Sequence, residues 1–154
     1  MKRLLCFLLF SLLLWGCGTS ASSVKKEKPH GYLQEGTALL KKGDTTEAIR
    51  VFQQAMLQNP QNPQPPYILG QLYMHLSHYD VAGRYFQRVI AVDPDNGQAY
   101  LLLGGCYDLQ GKRTQAIKSV EKSAEIFQRK KDKENLEESL VILRRLVESR
   151  NTPN

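Results

Sequence analysis

Residues 63–96 read PQPPYILGQLYMHLSHYDVAGRYFQRVIAVDPDN. Within them Leu69, Gly70, Tyr73, Tyr79, Ala82, Phe86 and Pro94 stand at spacings that recur on either side. Gly36, Gly70 and Gly104 lie 34 residues apart, and Ala48, Ala82 and Ala116 keep the same interval. Phe52, Phe86 and Val120 follow it, as do Pro60 and Pro94. A fixed period of this length marks one helix-turn-helix unit repeated, each copy burying the face of the next. Such a chain offers a stacked helical surface for binding rather than a catalytic cleft.

The residue types at these places have physical reasons. A mid-helix Gly costs about 1 kcal/mol against Ala, a cost tolerated where a partner helix comes too close for a side chain. The alanines take the matching small role on the second helix, and Tyr and Phe at helical spacing fill the space between pairs. Asp44 followed by Glu47 predicts a capping box at the start of one second helix. Pro60 and Pro94 stop helices, and Pro65-Pro66 suits a helix first turn, where a missing N–H does no harm.

These residues resemble the tetratricopeptide repeat. The resemblance covers about 100 residues in three units, 29–62, 63–96 and 97–130. The third departs from the pattern: Val120 replaces the aromatic, Ser123 a small apolar residue and Gln128 the closing Pro. Residues 131–150 lack the signature, but Leu136, Leu140, Leu143 and Val147 recur at steps of four, three and four, an amphipathic stripe. This predicts a helix that caps the open end of the array, with 151–154 fraying. The expected fold is all-α, an α-solenoid of three tetratricopeptide units plus a capping helix.

The resemblance implies that the first helices of each pair line a concave groove for extended or helical peptides. Carried over position by position, the groove comprises Leu33, Thr37, Leu40 and Lys41 from the first unit, and Tyr67, Gln71, Met74 and His75 from the second. The third contributes Gln98, Leu101, Gly105, Asp108 and Leu109. Tyr67 and Met74, an aromatic and an adaptable thioether, are the expected anchors. Arrays that clamp the C-terminal carboxylates of heat-shock chaperones place Lys, Asn and Arg at set groove positions. Here those positions hold Leu33, Thr37, Ile68, Gln98 and Leu102, so a groove lined by apolar and amide groups is expected instead.

The N-terminus carries a separate signal. Lys2 and Arg3 precede an apolar run from Leu4 to Leu14, followed by Trp15-Gly16-Cys17. A basic start, a short apolar run and a small residue before the cut describe an export signal; the run falls short of the roughly 20 residues that span a bilayer. The ending resembles the lipobox of bacterial lipoproteins in Leu14, Gly16 and Cys17, while bulky Trp15 departs from it. The resemblance implies removal of residues 1–16 and lipidation of Cys17. Two or three acyl chains hold a protein on a membrane where one does so only marginally. Gly18, in place of Asp, implies the outer membrane where the cell has two. Residues 17–28 are polar and aperiodic and read as a tether.

The chain carries 21 basic and 15 acidic side chains. Removing Lys2 and Arg3 leaves 19 against 15, about +4, much of it in Lys25, Lys26 and Lys28 beside the anchor. No basic stripe interleaved with aromatics points to nucleic acid. With Cys6 removed and Cys17 lipidated, Cys106 is expected as a lone buried thiol in an apolar helix. His75 and His78 have no third ligand nearby in the sequence. No nucleophile triad, phosphate-binding loop or carboxylate pair is present, so neither enzyme activity nor a cofactor is expected. The sequence reads as a membrane-held adaptor that binds a protein or peptide partner and assists assembly of a bacterial envelope complex. A sharper version resembles the pilotins, lipoproteins of the same repeat type that escort secretin subunits to the outer membrane. The alternative is a structural subunit that forms homo-oligomers through its solenoid ends.

Overall fold

The computed structural model describes residues 31–151, with side-chain surroundings given through Glu148. The expected signal sequence, Cys17, the tether and residues 152–154 lie outside the described residues. Seven helices follow one another: α1 (Gly31–Lys42), α2 (Thr45–Gln58), α3 (Gln64–His75), α4 (Tyr79–Val92), α5 (Gly97–Leu109), α6 (Arg113–Lys130) and α7 (Lys133–Asn151). Each helix packs chiefly against its neighbours in the chain. The product is an all-α solenoid of three helix pairs, with α7 lying on the third.

The 34-residue beat corresponds to an interlock inside each pair. A Cβ built on Gly70 would sit 2.7 Å from Phe86 Cε1, and one on Gly104 would sit 2.6 Å from Val120 Cγ2. Gly36 faces Phe52 in the same way. Phe52, Phe86 and Val120 are fully buried, as are Ala48, Ala82 and Ala116. The prolines act as expected: α2 ends at Gln58 before Asn59-Pro60, α4 ends at Val92 before Asp93-Pro94, and Pro65 and Pro66 open α3. The turn within each pair holds one left-handed residue, Gly43 (φ +85°), Ser77 (φ +59°) and Gly111 (φ +71°), again 34 apart.

The third pair compensates for its irregular sequence. With no proline at 128, α6 runs 18 residues and stops at Lys131, whose φ is +58°. The extra turn brings Phe127 against Gly97, where an added Cβ would come within 2.8 Å of the ring. Arg129 then pairs with Asp95 at 2.5 Å, and the Lys130 ammonium donates to the Asp95 carbonyl at 2.7 Å.

The rings of Phe52 and Phe86, expected between pairs, instead fill the gap against Gly36 and Gly70 inside their own pairs, because a missing Cβ leaves room for a ring edge there. Two further expectations change. Asp44 occupies the N-cap of α2, but its side chain makes no capping hydrogen bond. Glu47 turns instead to Arg50, 2.6 Å away, and this charge-assisted bond holds its carboxyl below the usual value. The second change concerns α7. Leu140 and Val147 do not face the array: they are 47% and 41% exposed, and the residues buried against it are Ser139 and Leu146. Leu136, Ile142 and Leu143 are half-buried. The apolar arc of α7 is wider than its contact, and α6 takes the edge that carries the small residue. There the hydroxyls of Ser123 and Ser139, both buried, lie 3.1 Å apart.

Candidate functional site: the face of the first helices

The first helices expose two shallow recesses. One, of about 460 Å³, lies between the first two pairs and is lined by Leu40, Ile68, Leu72 and Leu76 with Thr45, Gln71 and His75. The other, of about 350 Å³, lies between the second and third pairs and is lined by Pro63, Gln64, Tyr67, Asn96 and Gln98. Gln71 and His75 are exposed at the rim of the first, while Leu40, Ile68 and Leu72 are half-buried. Five of the thirteen expected groove residues (Leu40, Tyr67, Gln71, His75 and Gln98) are therefore brought into these recesses.

Rigid packing positions the lining. The Tyr67 ring meets Phe86 edge to face, with centroids 6.0 Å apart, and burial pushes its phenol above the usual value. In the other recess, Ile68, Leu72 and Leu40 all pack on the core of the first pair, so its apolar floor is anchored from beneath. Asn96, in the loop before α5, accepts the Ala99 N–H as a helix cap and fixes one wall of the Tyr67 recess.

The remaining expected positions behave differently. Leu33 is half-buried on the first core; Thr37 is exposed and donates its hydroxyl to the Leu33 carbonyl at 2.6 Å. Lys41 and Leu109 are exposed. Met74 is half-buried and packs against the cluster of Ala82, Phe86, Leu103 and Cys106, so part of it belongs to the core. Leu101 is no surface residue: it is 5% exposed and shares a cluster with Ala116, Val120 and Leu146. The expectation that it lines an open groove fails because α7 continues the stack and lays Leu146 over it. Asp108 likewise meets α7, 3.6 Å from Arg145. Gly105 borders empty space, with nothing within 4 Å of an added Cβ.

Thr45, Leu72 and Leu76 in one recess, and Pro63, Gln64 and Asn96 in the other, were not expected as lining. Leu76 had a signal: a large aliphatic between a helix end and the polar turn Ser77-His78, and it is 45% exposed. No group of three or more His, Cys, Asp or Glu among the described residues is placed to hold a metal. Cys106 is a buried free thiol whose pKa burial raises to about 11, which keeps it protonated and unreactive at neutral pH. No described helix is long and apolar enough to cross a membrane.

Stacked antiparallel helix pairs with a Gly–aromatic interlock at a fixed period define an α-solenoid of repeated hairpins. The repeats are tetratricopeptide repeats: models of that family match residues 39–82 and 67–132, and the chain belongs to it. Among curated proteins, the bovine (Bos taurus) BBSome complex member BBS4 is 31% identical over 80 residues, which are 52% of this chain and 15% of that protein. The chain thus spans a small fraction of that relative's length. Among solved structures, the first tetratricopeptide domain of Spaghetti (RPAP3) bound to the HSP90 peptide SRMEEVD is 23% identical. Its TM-score is 0.69, over 81% of this chain and 94% of that one. PcrH in complex with the chaperone-binding region of PopD is 12% identical with a TM-score of 0.72, over 79% and 92%. At these identities the likeness is one of fold.

Proposed function

We propose that this chain is a membrane-tethered adaptor whose first helices hold a peptide segment of a protein partner, and that it assists assembly of a complex in the bacterial envelope. The observation that carries the reading is the recess between the first two pairs. Its apolar floor of Leu40, Ile68 and Leu72 stands ready to cover an apolar side chain, and Gln71 and His75 at its rim offer hydrogen bonds to a peptide backbone or polar side chain. The Tyr67 recess supplies a second, aromatic contact one pair along the stack. RPAP3 and PcrH, which share the fold, are seen with a peptide and with a segment of a protein, and this supports reading the stacked face as the binding face.

The segment recognised differs from a chaperone C-terminus. The positions that would grip a terminal carboxylate hold Leu33, Thr37, Ile68, Gln98 and Leu102, none of them cationic. A largely apolar segment, taken internally and not by its end, suits these side chains. Lipidation at Cys17 followed by a polar tether keeps the array near the membrane, and the pilotin kind of role, escort of a membrane-bound subunit, fits a small platform held in this way. The test is affinity capture of the full chain from membranes, with the captured proteins identified. Replacing Gln71 with Arg, which fills the first recess, is expected to remove the partner, while Leu57→Arg on exposed α2 surface leaves it in place. Equal capture by both variants overturns the groove.

A further inference from the structure

The first helices α1, α3 and α5 each pack against a second helix of their own pair, α2, α4 and α6. Helix α7 continues the stack in the position of a next first helix, resting on α6 and touching α5, yet among the described residues no second helix stands behind it. Its uncovered side is apolar. Leu140 and Val147 are 47% and 41% exposed, and half-buried Leu136 and Leu143 lie between them and the contact with α6. Spacings of four, three and four along Leu136, Leu140, Leu143 and Val147 form the seam of a two-helix coil. At 3.6 residues per turn this seam lies roughly a quarter turn from the Ser139–Leu146 face, so a further helix can seat on it without displacing α6.

The charges beside the seam identify what seats there. On the side away from α6 the flanking residues are Glu137 and Arg144, both exposed, one near each end. When a second α7 runs antiparallel, Leu140 faces Leu143 and Leu136 faces Val147, and Glu137 of each copy meets Arg144 of the other. A parallel arrangement sets Glu137 beside Asp132 of the second copy, acid against acid. The surface is thus complementary to itself in one orientation, the condition for a two-fold interface.

We infer that the occupant of this face is a second copy of the chain, and that α7 pairs antiparallel with its counterpart along Leu136 to Val147 to join two arrays end to end. This reading stands independently of the groove, because no residue of the two recesses takes part.

The test places the photo-crosslinking residue p-benzoylphenylalanine at position 140 of the full chain, expressed in cells, and irradiates it. The expected product has twice the mass of the chain and contains only this chain, and the same probe at position 57 gives none. Arg144→Glu is expected to abolish the product, and the paired exchange Glu137→Arg with Arg144→Glu to restore it; circular dichroism of the variants verifies that the helices persist. A product containing a different protein overturns the inference. So does the absence of any product, or an Arg144→Glu chain that crosslinks as well as the parent. Retention of the groove partner by the Arg144→Glu variant shows that failure of one surface leaves the other intact.

Discussion

Ser123 on α6 and Ser139 on α7 share a hydrogen bond of 3.1 Å in full burial, and Ser139 also lies 2.8 Å from the Asn135 carbonyl. With the Ser139 proton given to Asn135, Ser123 donates to Ser139. The two small residues let α6 and α7 approach, and their polarity is satisfied only while both are present. Replacing Ser139 with Ala leaves the Ser123 hydroxyl buried without this acceptor and is expected to cost about 1–3 kcal/mol in urea unfolding. Replacing both with Ala is expected to recover most of that loss. A double variant weaker than the single one contradicts this account of the crossing.

The glycines divide by what lies beyond them. An alanine at position 70 would drive its Cβ to 2.7 Å from the Phe86 ring, and overpacking of this kind costs about 1–3 kcal/mol. Gly105, one residue after the third interlock, has nothing within 4 Å. There Ala is expected to stabilise α5 by up to about 1 kcal/mol through helix propensity. Thermal unfolding of the two variants should move in opposite directions.

Cys106 gives the fold a dependence on alkaline pH. Its folded pKa of about 11 lies above the ordinary 9.0 because burial disfavours the thiolate. Below pH 9 both folded and unfolded thiols are protonated and the contribution is fully present. As pH rises from about 9 to about 11 the unfolded chain loses the proton first, so stability falls across that window. Unfolding midpoints followed over this range should decline more steeply for the parent than for Cys106→Ala. Identical slopes would exclude the thiol as the source.

Membrane attachment is expected to depend on one atom, the sulfur of Cys17. Cys17→Ala should leave the chain unacylated and shift it out of the fully acylated membrane fraction, as read by metabolic labelling with a fatty acid and by carbonate extraction of membranes. Equal labelling of parent and variant removes the lipid anchor.

The close helix crossing was legible because a glycine placed mid-helix three times at one period has little meaning elsewhere. What meets the glycines was not, since the alanines are the expected partners whereas Phe52, Phe86 and Val120, sixteen residues on, fill that gap. The helix stops at Pro60 and Pro94 were legible for the same reason. The orientation of α7 was not. Its apolar arc is broader than one contact, and hydropathy ranks Leu140 above Ser139, whereas packing against α6 selects the smaller side chain. The burial of Leu101 was hidden for a related cause, since the cluster that holds it includes Leu146, 45 residues away on a helix outside the repeat pattern, beside Ala116 and Val120. Gly97 and Phe127 formed a further interlock that the irregular third unit concealed.

The same sixteen-residue interlocks set the order in which the molecule can assemble. Gly36 with Phe52, Gly70 with Phe86 and Gly104 with Val120 each close within a single hairpin, and apart from the touch of α5 on α7 the main later contacts join neighbours along the chain. A topology made of local contacts folds fast and nucleates at any hairpin. The chain therefore needs no distant segment before its first hairpin can form, and damage at one end can unravel that end while the opposite hairpin still holds.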